Sequence, residues 1–150
     1  MAPGNVSVIS PVMLDASPLG ALAHPRANRE IVRWLESMMT AGVRLMVPEI
    51  ADYEVRRSLL LSRLHHSLGA LDQLKSKLIY VPITTAVILE SAELWADARR
   101  RGTPTADPKE LDCDVILAAQ ALAVGAVVAT ENVGHLGRYV TARNWRAILA

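Results

Sequence analysis

The chain has 150 residues, of which 51% are hydrophobic and 21% charged, with a formal net charge of +1. That length and composition suit one compact soluble domain, and they exclude a disordered chain and a globally basic nucleic-acid binder. A single cysteine, Cys113, excludes a disulfide framework and fits a reducing compartment.

Residues 1–11 (MAPGNVSVISP) read as an N-terminal extension. They lack the basic start and long apolar run of a signal peptide, and no stretch reaches the ~18 to 20 apolar residues of a membrane span. The cytoplasm is therefore the expected location, with no membrane association. Val12-Met13-Leu14 is a short apolar run ended by Asp15, a first strand, and Asp15 to Gly20 (DASPLG) reads as a turn. Apolar spacing at Ile31, Trp34, Leu35 and Met38 predicts a helix over about 28–40, stopped by Gly42. Residues 44–47 form a second strand closed by Pro48, and a helix opens at Glu49, with Ile50, Tyr53, Leu60, Leu61 and Leu64 as its apolar positions.

Residues 65–77 extend or follow that helix, with a break expected near Gly69. Residues 78–83 (LIYVPI) are a third strand, and 84–101 a long helix ending at Gly102. After a polar loop (TPTADPKE), residues 111–124 are apolar on nearly every side, the mark of a helix sandwiched between layers. Gly125 ends it; 126–130 (AVVAT) is a fourth strand, and 139–149 adds a short edge strand. Gly20, Gly42 and Gly125 read as punctuation, and Trp34 and Trp95 as core. Strands alternating with helices imply parallel pairing in an open sheet covered on both faces, a single α/β domain.

Ligands of such sheets bind beyond the carboxyl ends of the strands. Asp15 and Ser17 lie past the first strand, and Thr130, Glu131 and Asn132 past the fourth. A turn or helix-capping role accounts for Asp15 equally well. At 100° per residue, Glu54 falls within the arc of Ile50, Leu61 and Leu64, away from Asp52 and Arg56. A carboxylate there is costly unless a cation or donors meet it, and Arg57 at i+3 competes for that place. Asp114 shares a face with Leu117, Ala118 and Ala121, although the helix dipole also favours an acid in a first turn. Asp112 is about 200° away from it, and is expected to cap the helix. Three acids on separate elements suit Mg²⁺ or Mn²⁺ better than zinc, and such ions serve phosphodiester hydrolysis.

The other candidates are weaker. His65 and His66 diverge on a helix and read as surface; Cys113 has no evident base partner and reads as a small core residue. Arg56, Arg57 and Arg63 are candidates to touch a phosphate backbone. The Arg99-Arg100-Arg101 run suits a helix C-terminus better than RNA.

Four segments in order, MLDASPLG, VPEIADYEVRRSLL, LDCDVILAAQAL and VVATENVGHL, resemble the PIN-domain family of metal-dependent ribonucleases, which includes the VapC-type toxins of toxin–antitoxin pairs. The resemblance implies a three-layer α/β/α fold around a parallel sheet of four or five strands. It also implies Mg²⁺ or Mn²⁺, and endonucleolytic cleavage of RNA by activated water. Carried over by position, Asp15, Glu54 and Asp114 match the acids of the motifs, with Ser17 and Thr130 supporting. Asn132 falls where the fourth motif carries Asp or Asn. The first motif is Asp-Ala-Ser rather than the commoner Asp-Thr-Asn or Asp-Thr-Ser. A neutral Asn132 weakens a second metal position, and Glu131 and Asp112 are the candidates to compensate. The same resemblance raises an antitoxin protein and a homodimer as partners. A PIN-like module that binds RNA or a partner without cutting is the alternative. A phosphoacceptor regulatory domain is not, because the third strand ends Val81-Pro82-Ile83-Thr84 without an acid.

Overall fold

A computed structural model describes residues 10–102 and 112–150. The elements in chain order are β1 (Val12–Leu14), α1 (Ala16–Ala23), α2 (Arg29–Thr40), β2 (Leu45–Pro48), α3 (Glu49–Leu61), α4 (His65–Lys77), β3 (Ile79–Val81) and α5 (Thr85–Arg100). They continue with α6 (Cys113–Val124), β4 (Val127–Thr130), α7 (Val133–Leu136), β5 (Ala142–Asn144) and a 3₁₀ turn at Trp145–Ala147. The expected extension 1–11 falls outside the described residues up to position 9. Pro11 lies just before β1, its carbonyl accepting from Val127 N–H at 2.9 Å. The TPTADPKE loop also lies outside the described residues.

All five strands are parallel, in the order β3-β2-β1-β4-β5. Side chains alternate across a strand, so the strands feed two separate cores. Val12, Leu14, Leu45, Val47, Val127 and Ala129 face one core, with Leu19, Ile31, Trp34, Met38, Val55 and Leu71 of α1 to α4 against them. Met13, Met46, Val128 and Ala142 face the other, covered by Val87, Val115, Leu117, Ala118 and Ala121 of α5 and α6. This is the expected three-layer α/β/α sandwich. The sheet grows one way from β1 to β2 and β3, then the other way to β4 and β5. The crevice at the β1/β4 switch point is where a ligand site belongs in such a sheet.

Four expectations fail for identifiable reasons. The DASPLG segment is not a turn but the start of α1. Asp15 caps that helix, and Pro18 sits in its first turn, where a missing N–H costs nothing. Gly20 lies inside α1 rather than at a boundary, and a Cβ there would meet Val55 Cγ2 of α3 at 3.7 Å, an ordinary van der Waals contact. The break between α3 and α4 falls at 62–64, with Arg63 at φ +54°, while Gly69 is inside α4. Tyr53, Leu60, Leu61 and Leu64 are exposed, Leu61 by 86%.

The buried face of α3 is Ile50, Ala51, Asp52 and Val55, because α4 folds back over it. There Asp52 meets Arg56 at 2.9 Å and Lys75 at 3.3 Å, which compensates the burial of its charge. The α6 helix is fastened to α3 and β3 by Gln120, wholly buried: its Oε1 accepts from Ile50 N–H (3.3 Å) and its Nε2 donates to the Val81 carbonyl (2.9 Å). No helix among the described residues is long and apolar enough to cross a membrane.

Candidate active site

Asp15 follows β1 directly. Its Oδ1 accepts from Ala16 N–H at 2.7 Å, the helix cap that the sequence allowed, and its Oδ2 accepts from Thr130 Oγ1 at 2.7 Å. Capping and site membership are thus compatible, since the two oxygens do different work. Thr130 is fully buried at the end of β4, and its hydroxyl oxygen also accepts from Asn132 N–H at 2.9 Å. Ser17, in the first turn of α1, accepts from Glu131 N–H at 3.1 Å. Both supporting residues therefore brace the turn after β4 against the segment after β1.

Glu54 reaches the same region from α3. Burial pushes its carboxyl above the usual range, and the charges of Asp15 and Asp114 push it further. Arg57 and a hydrogen bond with the Cys113 thiol act against that rise without cancelling it. The Arg57 guanidinium lies over the Tyr53 ring, 5.0 Å from its centroid. The inward position of Glu54 survives, but not the apolar arc first assigned to it, since Leu61 and Leu64 are exposed and Asp52 is buried.

Asp114 comes from the first turn of α6. Burial raises its carboxyl most, followed by the charges of Asp15 and Asp112, while His135 opposes the rise. Asp112 caps α6 as expected, accepting from Val115 N–H at 3.4 Å. The Cys113 thiol, half-buried between the two aspartates in sequence, is pushed up to about 11 by burial and by Glu54. That rise leaves little thiolate at neutral pH.

The fourth corner differs from expectation. Asn132 caps α7 without a side-chain hydrogen bond and is exposed. The Glu131 carboxylate accepts from Trp145 Nε1 at 2.8 Å and pairs with Arg146 at 3.6 Å. His135 on α7 stands there instead, Nδ1 3.6 Å from Asp114 Oδ2. Sequence reasoning passed over His135. The available signal was its place three residues beyond Asn132, in the segment that follows a strand end. Of the three arginines, Arg56 is committed to Asp52 and to Asp72 (2.7 Å), Arg63 occupies the turn between α3 and α4, and only Arg57 borders the acids. His65 and His66 are exposed, as expected.

Asp15, Glu54 and Asp114 are thus brought from three elements to one region, close enough that the charge of Asp15 weighs on both Glu54 and Asp114, and that of Asp114 on Glu54. Among the described residues, no three His, Cys, Asp or Glu side chains as placed surround a single ion position. The donor chemistry nevertheless fits a hydrated hard cation. Mg²⁺ keeps several waters and takes one or two carboxylates directly. Glu54 and Asp114, both raised partly by neighbouring acids, gain most from added positive charge.

A parallel α/β sandwich with acidic side chains gathered beyond its central strand ends defines the class of domain. The chain belongs to the PIN domain family, whose model matches residues 12–136. Solved structures share the fold. VapBC2 from Rickettsia felis, bound to a DNA fragment from its promoter, matches with a TM-score of 0.75 at 17% identity, over 89% of this chain and 98% of that one. FitAcB from Neisseria gonorrhoeae matches at 0.68 and 23% identity, over 90% and 98%. DNA-bound VapBC from Salmonella typhimurium matches at 0.66 and 22%, over 91% and 98%. At these identities the likeness is one of fold. No curated protein matches the sequence.

Proposed function

We propose that this chain is a divalent-metal-dependent endoribonuclease, with Asp15, Glu54 and Asp114 as the acids that hold Mg²⁺ or Mn²⁺. The observation that carries the reading is the convergence of those three carboxylates, from the end of β1, from α3 and from α6, at the β1/β4 crevice. A bound ion would polarise the phosphoryl oxygens and lower the pKa of bound water. The chain's own residues do the rest. Thr130 fixes the Asp15 carboxylate through Oδ2, while Ala16 N–H holds Oδ1. Glu54 and Asp114 supply the negative charge opposite Asp15, and Arg57 offers a cation at the rim for the phosphate backbone.

PIN domains are in general nucleases, and that family membership supports hydrolysis. The fold likeness to VapBC and FitAB proteins supports a toxin with an antitoxin partner, the sequence resemblance supports a homodimer, and the lone cysteine fits a cytoplasmic setting. A fluorogenic RNA cleavage assay tests the core of the reading. Metal-dependent cleavage by the wild type, lost in Asp15→Asn and in Glu54→Gln, is expected; unchanged cleavage in both variants would remove the site.

A second reading is a PIN module that binds RNA or a partner without cutting. The neutral Asn132 and the lack of a ready three-ligand cluster among the described residues favour it. Calorimetric titration separates the two, since heat from Mg²⁺ or Mn²⁺ binding is expected only for the nuclease.

A further inference from the structure

We propose that Trp145 is a positioning residue for the acid site: its indole N–H holds Glu131, and so fixes the turn that aims Thr130 at Asp15. For its activity readout the inference rests on the proposed nuclease reading. Glu131 and Trp145 are each the first residue beyond neighbouring parallel strands, with Thr130 of β4 in register with Asn144 of β5. Their side chains meet one step past the sheet, Trp145 Nε1 donating to Glu131 Oε1 at 2.8 Å.

The donor has a rigid frame. Trp145 is 3% exposed and its ring lies 5.8 Å from that of Trp34, which in turn donates its indole N–H to the Ile148 carbonyl at 2.9 Å. Arg146 stacks its guanidinium 4.2 Å from the Trp145 centroid and bridges Glu131 (3.6 Å) to Glu30 of α2 (3.0 Å). One indole, backed by the Trp34 ring, and one guanidinium therefore hold an exposed glutamate.

The consequence reaches Asp15 by a short path. The Glu131 N–H donates to Ser17 Oγ, and the next N–H, of Asn132, donates to Thr130 Oγ1. A hydroxyl has one proton to give. With its oxygen accepting from Asn132, Thr130 directs that proton to Asp15 Oδ2. If the turn drifts, the Asn132 donor leaves and the hydroxyl loses its fixed direction. Partners of this kind, bonded to a ligating group rather than to the ion, set affinity and rate by holding the ligand still. Trp145 lies beyond residues 12–136, the part of the chain that the family model matches.

The test uses the full chain with Trp145→Phe, which keeps an aromatic ring beside Trp34 but removes the N–H together with part of the bicyclic ring, and with Glu131→Ala, which breaks the same bond without emptying the core. Amide hydrogen exchange at Glu131 and Asn132 is expected to accelerate about tenfold while core amides of β1 and α6 hold their rates. Mn²⁺ affinity by titration calorimetry, and kcat for RNA at unchanged KM, are expected to fall about 10-fold to 100-fold. Glu131→Gln keeps an acceptor oxygen and is expected to retain wild-type exchange rates, whereas Glu131→Ala is expected to match Trp145→Phe. The double variant Trp145→Phe/Glu131→Ala is expected to be no worse than either single one. Unchanged exchange at both amides, or acceleration spread evenly over the core, would overturn the inference. The exchange measurement decides this even where the wild type cleaves no RNA, an outcome that would count against the nuclease reading alone.

Discussion

Replacing Thr130 by valine isolates the contact on which the geometry of Asp15 depends. Valine has nearly the same shape, so the wholly buried position is neither emptied nor overfilled. What disappears is a 2.7 Å hydrogen bond to a carboxylate and the acceptor for Asn132 N–H. A bond to a charged group contributes about 1.5–3 kcal/mol. For a chain of this length that corresponds to a fall in melting temperature of roughly 3–12 °C. Thr130→Ser keeps the hydroxyl and loses one methyl, which costs about 1 kcal/mol and a correspondingly smaller shift. Stability alone does not separate the two variants cleanly, so function must. Mn²⁺ affinity is expected to drop about 10-fold to 100-fold in the valine variant and to stay near wild type in the serine variant. Calorimetric titration and differential scanning calorimetry on the same samples give both numbers. Equal Mn²⁺ affinity in the two variants would refute the role assigned to the hydroxyl.

Three further outcomes follow from the same geometry. Glu54 is raised above its unfolded value by burial and by Asp15 and Asp114, so the folded chain binds its proton more readily than the unfolded one. Its contribution to stability is fully present below the ordinary carboxylate range and is lost as pH rises through the raised value. Glu54→Gln is therefore expected to melt higher than wild type at pH 8 in EDTA, with the gain vanishing at pH 3.5, read by thermal melts across pH. Gln120→Leu leaves Ile50 N–H and the Val81 carbonyl without their side-chain partner and is expected to cost about 2–5 kcal/mol, read as a lower urea midpoint at unchanged m. Cys113, with its thiol pushed up to about 11, is expected to alkylate with iodoacetamide at pH 8 far more slowly in the native chain than in urea.

Local chemistry made much of this molecule legible in advance. The apolar stripe of Ile31, Trp34, Leu35 and Met38 is buried as read, the helix expected from about residue 28 starts there, and Asp112 caps α6. The all-round apolar helix near residue 115 does lie between layers. The failures share a cause, which is that tertiary partners choose among faces that a single helix leaves equivalent. Leucines 60, 61 and 64 look like core on a helical wheel. Yet α3 stops at Leu61 and α4 returns over the Asp52 face, where Arg56 and Lys75 wait for the charge.

At the site, the three acids could be named because carboxylates at strand ends and on inward faces are costly without a purpose. For His135 the sequence offered only its place after the fourth strand, and for Trp145 nothing. The first needs α7 to bring it to Asp114, and the second needs the β4/β5 register to bring it to Glu131. Glu131 is the instructive case, an acid in a promising place that the fold spends on an indole and an arginine.

The most direct test of the acidic site needs no knowledge of the RNA. Electron paramagnetic resonance of Mn²⁺ titrated into the full chain reports the free ion, and hence the bound fraction. The expected result is saturable binding by the wild type, competed by Mg²⁺ and weakened by each of Asp15→Asn, Glu54→Gln and Asp114→Asn. Identical titration curves for the wild type and all three variants would contradict a metal site built from these carboxylates.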